Sequence, residues 1–146
     1  MDRQQLSAIL KEHRVNNGVL LKRICAQMDT GESSIYRIEN GVYNFNCNMW
    51  LSYMNAIGVV AKLSGNGNSI YLNTVDEMVE AVRNIRKGNN ITQRELAQII
   101  GISHVNIANV ERGHTSLTID FLLSVAKAFR YELQIIDKIR LNDNKQ

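Results

Sequence analysis

Apolar residues recur every three or four positions along most of this chain, and each run stops at a glycine or a small polar cluster before the next begins. Leu6, Ile24, Ile35 and Ile38, and later Met78, Leu96, Ile107 and Val110, fall on one side of short helices. The periodicity predicts helices near 3–16, 20–28, 31–40 and 47–57, and again near 75–88, 92–100, 103–112 and 119–129. Asn46, Thr92, Ser103 and Thr118 each stand just before an apolar run, where a side-chain oxygen can accept from a free amide of the first turn. The period shortens to two in Val59-Val60-Ala61-Lys62-Leu63 and in Tyr131-Glu132-Leu133-Gln134-Ile135-Ile136, which predicts strands. Ser64-Gly65-Asn66-Gly67-Asn68 reads as a hairpin loop leading to a further strand at 69–72, because Gly and Asn tolerate positive φ.

The pattern repeats. A gapless shift of 72 positions (14 + 72 = 86) puts Arg14 on Arg86, Asn17 on Asn89, Glu39 on Glu111, Gly41 on Gly113, Leu51 on Leu123, Ser52 on Ser124 and Ala56 on Ala128. Apolar positions coincide too: Leu6 with Met78, Ile24 with Leu96, Ile35 with Ile107, Phe45 with Leu117. The period is too long for one turn of a solenoid and fits a duplicated small domain.

The stretch AQIIGISHVNIANVERG, residues 97–113, carries the most specific signal. Leu96, Ala97 and Ile100 can pack inward with Ile102, Ile107 and Val110. Gly101 can leave the first helix in the left-handed conformation at little steric cost, and Ala97 leaves room for two helices to cross closely. Packing alone therefore predicts a helix-turn-helix. Its second helix turns Ser103, His104, Val105, Asn106 and Asn109 outward: short polar groups and one apolar contact on a slender rod. A major groove about 12 Å wide admits such a helix, and its base edges offer donors, acceptors and a thymine methyl.

Thr92-Gln93-Arg94-Glu95-Leu96-Ala97-Gln98-Ile99-Ile100-Gly101-Ile102-Ser103, then Ile107, then Glu111-Arg112-Gly113, resembles the phage-repressor family of helix-turn-helix domains, of the Cro/C1 or XRE type. Residues 6–63 resemble it more weakly, ending in Arg37-Ile38-Glu39-Asn40-Gly41. The resemblance implies a mainly α fold class: two tandem lambda-repressor-like helix-turn-helix domains with short β-strands following each. The expected domains are 1–73, a degenerate helix-turn-helix domain with a C-terminal β-hairpin, and 74–146, a helix-turn-helix domain with a C-terminal strand and a short tail. It implies that Gln93 hydrogen-bonds a phosphate of double-stranded DNA, with Thr92, Arg94, Lys87, Asn89, His114 and Thr115 as further backbone contacts, the last two partly through main-chain amides around Gly113. His104, Val105 and Asn109 fall on the family's base-reading positions, beside Ser103 and Asn106. Arg86 with Glu111, and Arg14 with Glu39, match its structural ion pair between helix one and the end of helix three.

The first copy departs from this template. Leu20 and Leu21 replace Thr92 and Gln93, and Asp29-Thr30-Gly31 replaces Gly101-Ile102-Ser103. Its possible DNA contacts are Lys22, Glu32, Ser33, Ser34 and Arg37; Arg37 can bond guanine in bidentate fashion and Glu32 can accept from cytosine. The strands at 59–63 and 131–136 can pair within one chain, as an internal pseudo-dimer, or between chains in a homodimer.

Composition narrows the functional classes. The chain has 146 residues, 45% hydrophobic and 21% charged, enough for one ordinary domain or two small ones. Its net charge of +3 permits an anionic partner without arguing for one, so a nucleic-acid reading must rest on side-chain layout. Cys25 and Cys47 read as buried fillers, and with His13, His104 and His114 they show no metal-ligand spacing. No cofactor is expected. There is no nucleophile elbow, and the Gly65–Asn68 stretch lacks the Lys-Ser/Thr and the helix of a phosphate loop, which argues against an enzyme. No apolar run approaches the roughly 20 residues of a membrane span, and the first residues lack a signal-peptide layout, so a cytoplasmic location is expected. The sequence-level expectation is a sequence-specific transcriptional regulator, a repressor. The alternatives are an antitoxin-type regulator binding a toxin partner, and a protein-interaction module that has lost DNA binding.

Overall fold

A computed structural model of the chain describes residues 1–143. Its elements follow the order α1 (Arg3–Asn16), α2 (Leu21–Met28), α3 (Glu32–Asn40), α4 (Cys47–Ile57), β1 (Val59–Gly65), β2 (Asn68–Leu72), α5 (Val75–Gly88), α6 (Gln93–Ile100), α7 (His104–Glu111), α8 (Ile119–Ala128), β3 (Glu132–Asp137) and α9 (Lys138–Asp143). The helices fall within one residue of the boundaries that periodicity predicts. Their starts are fixed by side chains: Asn46, Thr92, Ser103 and Thr118 each accept from a first-turn amide, as do Asp2 and Thr74. Three of the helices end on left-handed glycines, Gly41 at φ 68, Gly58 at φ 78 and Gly101 at φ 72. The β1–β2 turn is tighter than the expected five-residue loop. Asn66 and Gly67 both take positive φ, 51 and 77, so two residues suffice and both strands lengthen toward them. At the C-terminal end the expected polar tail instead opens with the six residues of α9, anchored where the Lys138 amide donates to the Gly58 carbonyl at 2.9 Å.

The two halves meet around a pseudo-twofold axis. β1 pairs antiparallel with β3 in the middle of a three-stranded sheet ordered β2-β1-β3. In that pairing Lys62 faces Gln134, its own counterpart 72 residues on (62 + 72 = 134). A lone bridge joins Asn46 to Thr118, again counterparts (46 + 72 = 118). Its hydrogen bonds are reciprocal, Cys47 N to Leu117 O at 2.8 Å and Ile119 N to Phe45 O at 2.9 Å. A rotation that exchanges residue i with i + 72 must pass through both pairs, which fixes the axis by two points. The strands that sequence left free to pair within or between chains pair within one.

Burial joins the halves into one apolar core. Leu6, Leu10, Trp50, Tyr53, Met54 and Ile57 of the first half are contiguous with Met78, Val82, Ile107, Phe121 and Val125 of the second. Cys47 lies fully inside this core, and burial pushes its thiol up to about 12, which fits the filler role. Polar ties cross the junction as well: Arg3 donates to Asp120 at 3.1 Å, and His13 and Asn17 both reach Asp137 at 3.0 Å. The symmetry fails in one place. The positions matching β2 begin at 140, and 140–143 are helical.

Candidate nucleic-acid interface

α6 and α7 form two short arms around Gly101. Leu96, Ile107 and Val110 are buried at their crossing, with Ala97, Ile100 and Ile102 half-buried beside them. A helix of eight residues is marginal alone in water, so this seam is what holds α7 in place. With the seam used up and Glu111 buried at its end, the remaining side chains of α7 are exposed or half-buried. Ser103, His104 and Val105 are exposed and Asn106 and Asn109 are half-buried. Val105 keeps 56% of its surface in solvent, an apolar group with nothing from this chain to cover it. Three of the outward groups are amide or imidazole side chains that can both donate and accept.

The proposed phosphate contacts divide by how far their atoms are already committed. Lys87 and Arg94 are exposed cations. The Thr92 hydroxyl accepts from Glu95 N at 3.1 Å while the Glu95 carboxylate accepts from Thr92 N at 3.2 Å, a reciprocal cap that fixes the start of α6. Gln93 is half-buried, and its side chain helps to keep the Glu111 carboxyl ionised. Asn89 closes α5, its side-chain amide donating to Ile85 O at 2.6 Å. The main-chain amides expected to meet phosphate after α7 are also taken. Gly113 N donates to Val110 O at 3.0 Å, and His114 N and Thr115 N donate to Asn109 O at 2.8 and 3.3 Å. These bonds close the C-terminus of α7 around the left-handed Gly113, φ 78. A helix end satisfies its own last carbonyls first, and that closure uses these amides. It leaves the exposed side chains of His114 and Thr115 as the available donors.

Beneath the outer face sits a buried ion pair. Arg86 grips Glu111 in bidentate fashion, Nε and NH2 donating at 2.8 and 2.7 Å, and its third nitrogen donates to Ile91 O at 2.9 Å. Arg83 donates to the Glu111 carbonyl and lies 3.7 Å from its carboxylate. Burial works against ionisation of Glu111, but the bonds and charge of Arg86, helped by Gln93 and Arg83, outweigh it and hold the carboxyl below its ordinary range. The pair ties α5 to the end of α7 and so sets the angle at which α7 stands.

In the first half Arg14 holds Glu39 at 2.7 and 3.1 Å, and the Tyr53 hydroxyl closes the carboxylate at 2.8 Å. The Glu39 hydrogen bond raises Arg14, and burial raises the Tyr53 hydroxyl. Asp29, at φ 51, takes the left-handed position that Gly101 holds in the second half, and Gly31 starts α3 with no side-chain cap. Lys22, Glu32, Ser33 and Arg37 are exposed and Ser34 is half-buried. Sequence reasoning missed one feature: the Arg37 guanidinium lies 4.9 Å from the centre of the Tyr43 ring.

An exposed polar helix seated on its partner by an apolar seam, with a buried pair behind it, defines a helix-turn-helix DNA-binding unit. The family model described as "Helix-turn-helix" matches residues 82–136. Control protein C.SmaI of Serratia marcescens is 34% identical over 58 residues, which cover 40% of this chain and 69% of that protein. The chain belongs to the helix-turn-helix family of DNA-binding regulators, of the Cro/C1 type. No solved structure matches it. Among the described residues no helix is long and apolar enough to cross a membrane.

Proposed function

We propose that this chain is a sequence-specific repressor of transcription that works as an internal pseudo-dimer. α7 enters one major groove and α3, in a second and diverged copy of the same unit, enters the next on the same face of the duplex, about 34 Å away. Bound protein blocks polymerase by occupancy. The observation that carries this reading is the outward face of α7, where Ser103, His104, Val105, Asn106 and Asn109 remain accessible while Ile107 and Val110 are sealed. The pseudo-twofold axis supports the two-copy part, because it sets two equivalent helices on either side of one line. Because their surfaces differ, one chain recognises an asymmetric site.

Arg94, Lys87, His114 and Thr115 set affinity through phosphate, and the α7 face sets preference. Gln93 has a double role: its amide steadies Glu111 and presents its other edge to the backbone.

Titration of a fluorescent duplex selected from a random pool tests this. Affinity falls with salt at a slope of about −0.9 per phosphate neutralised. His104→Ala and Asn109→Ala change the ranking of sequences, and Arg94→Ala weakens all of them alike. Unchanged binding in all three variants refutes the assignment.

A further inference from the structure

We infer that the two halves divide base recognition by chemistry, the first taking a G·C-rich half-site through Arg37 held by Tyr43, the second an A·T-rich half-site through Asn109, Asn106 and Val105. This rests on the DNA-reading proposal and adds the base class that each half selects and a positioning residue, Tyr43.

Arg37 and Asn109 occupy the same place in the repeat (37 + 72 = 109), so they meet equivalent positions of the two half-sites. Their hydrogen-bonding capacities differ. A guanidinium only donates, and guanine alone presents two acceptors, O6 and N7, on its major-groove edge. A carboxamide both donates and accepts, which suits N7 and N6 of adenine. The neighbouring positions lean the same way. Glu32, an acceptor, is the counterpart of His104 and fits the N4 amine of cytosine, the partner of guanine. Val105 is the counterpart of Ser33, and its exposed methyls fit the thymine methyl, the partner of adenine.

The stack on Tyr43 makes Arg37 more than a free surface cation. Among the described residues Arg37 makes no ion pair, whereas Arg14 and Arg86 are each paired with a carboxylate. The ring restrains the guanidinium, and no hydrogen bond among the described residues takes up its N–H donors, which leaves them for a bidentate contact. Tyr43 is itself 52% exposed, so the stack is not there to fill a core. The second half puts Thr115 at that position and has nothing to hold in place. Arg37 and Tyr43 open onto a groove shared with Asn44, Thr115 and Ser116, beside the pseudo-twofold axis where the two half-sites would abut.

Selection of duplexes from a random pool, repeated with variants, tests the inference. The wild-type chain is expected to enrich one site with a guanine-bearing half and an adenine/thymine-bearing half in fixed order. Arg37→Ala should lower preference for guanine at one position roughly five- to a hundred-fold and leave the other half unchanged. Asn109→Ala should do the reverse. Tyr43→Ala should flatten the same guanine preference with unfolding temperature unchanged, and Tyr43→Phe should restore it. A palindromic site, or guanine preference that survives Arg37→Ala, overturns the division of labour; guanine preference that survives Tyr43→Ala overturns the positioning role. Enrichment of no duplex at all overturns the DNA-reading proposal itself, an outcome distinct from the other two.

Discussion

The two halves of this chain agree in their buried polar groups and differ on their surfaces. Arg14–Glu39 and Arg86–Glu111 sit at matching positions with shortest contacts of 2.7 Å in each. Around them the partners have changed: the Tyr53 hydroxyl donates to the first carboxylate, whereas Arg83 donates to the Glu111 carbonyl and stands 3.7 Å from the second carboxylate. On the outer face almost nothing is kept, Glu32, Ser33 and Arg37 standing where His104, Val105 and Asn109 stand. A buried charge pair cannot lose one member without stranding the other, so it persists. An exposed side chain carries no such penalty, so it can follow whatever it touches.

Removing one member of the pair in either half gives the largest expected effect. Glu111→Ala leaves Arg86 without its partner in a site where only 10% of its side chain is exposed, and it should cost roughly 3–5 kcal/mol in urea unfolding. Glu39→Ala should fall in the same range, stranding Arg14 and the Tyr53 hydroxyl together. A loss under about 1 kcal/mol in both would mean the pairs do not brace their helices. Glu111 also gives a pH dependence. Its carboxyl is held below its ordinary value of 4.5, so the unfolded chain takes up its proton first as the solution is acidified. The stability it contributes is complete above about pH 4.5 and drains away as pH falls through the native value. Glu111→Gln should remove that part of the acid limb, measured as unfolding free energy against pH.

The matched glycines after α3 and α7 give the next effect. Gly41 and Gly113 are 72 apart and both left-handed, at φ 68 and 78. A Cβ on Gly41 would lie 2.9 Å from the Gln4 Cα of α1, whereas one on Gly113 would meet open space. Gly113→Ala should therefore cost roughly 1–2 kcal/mol, from backbone strain alone. Gly41→Ala should cost roughly 2–4 kcal/mol, because backbone must also give way. Equal shifts in unfolding temperature would show that α1 is not packed on Gly41 as closely as the geometry says.

The helices were legible in the sequence because they are written in local pattern, the apolar spacing of each short run. The outward face of α7 was legible for the same reason, since a helix with Ile107 and Val110 buried has few other ways to turn His104 and Asn109. What stayed hidden depends on contacts between distant segments. The influence of Gln93 on Glu111 requires the α6 start to approach the α7 end. The stack of Arg37 on Tyr43 requires the path of a loop. α9 has six residues, too few for a period to emerge, and its start is set by a bond to Gly58 on the other half. The taken amides at Gly113–Thr115 were hidden because family resemblance speaks of what a loop touches and not of how the helix before it ends.

Helix starts give the smaller effects and the sharpest contrast. Ser103 caps α7 by accepting from Asn106 N at 3.2 Å, and Ser103→Ala should cost about 1 kcal/mol. α3 has no such bond, because Gly31 stands in that place. Gly31 has an ordinary extended conformation, φ −87 and ψ 166, and a Cβ there would meet nothing within 4 Å. Gly31→Ser should therefore be accepted without strain and gain a few tenths of a kcal/mol, since glycine is already a tolerable cap. The two changes act in opposite directions at the matched helix starts, and calorimetric melting resolves the difference in sign. If Gly31→Ser destabilises the chain instead, α3 begins in a way that α7 does not, and the two starts are not variations on one turn.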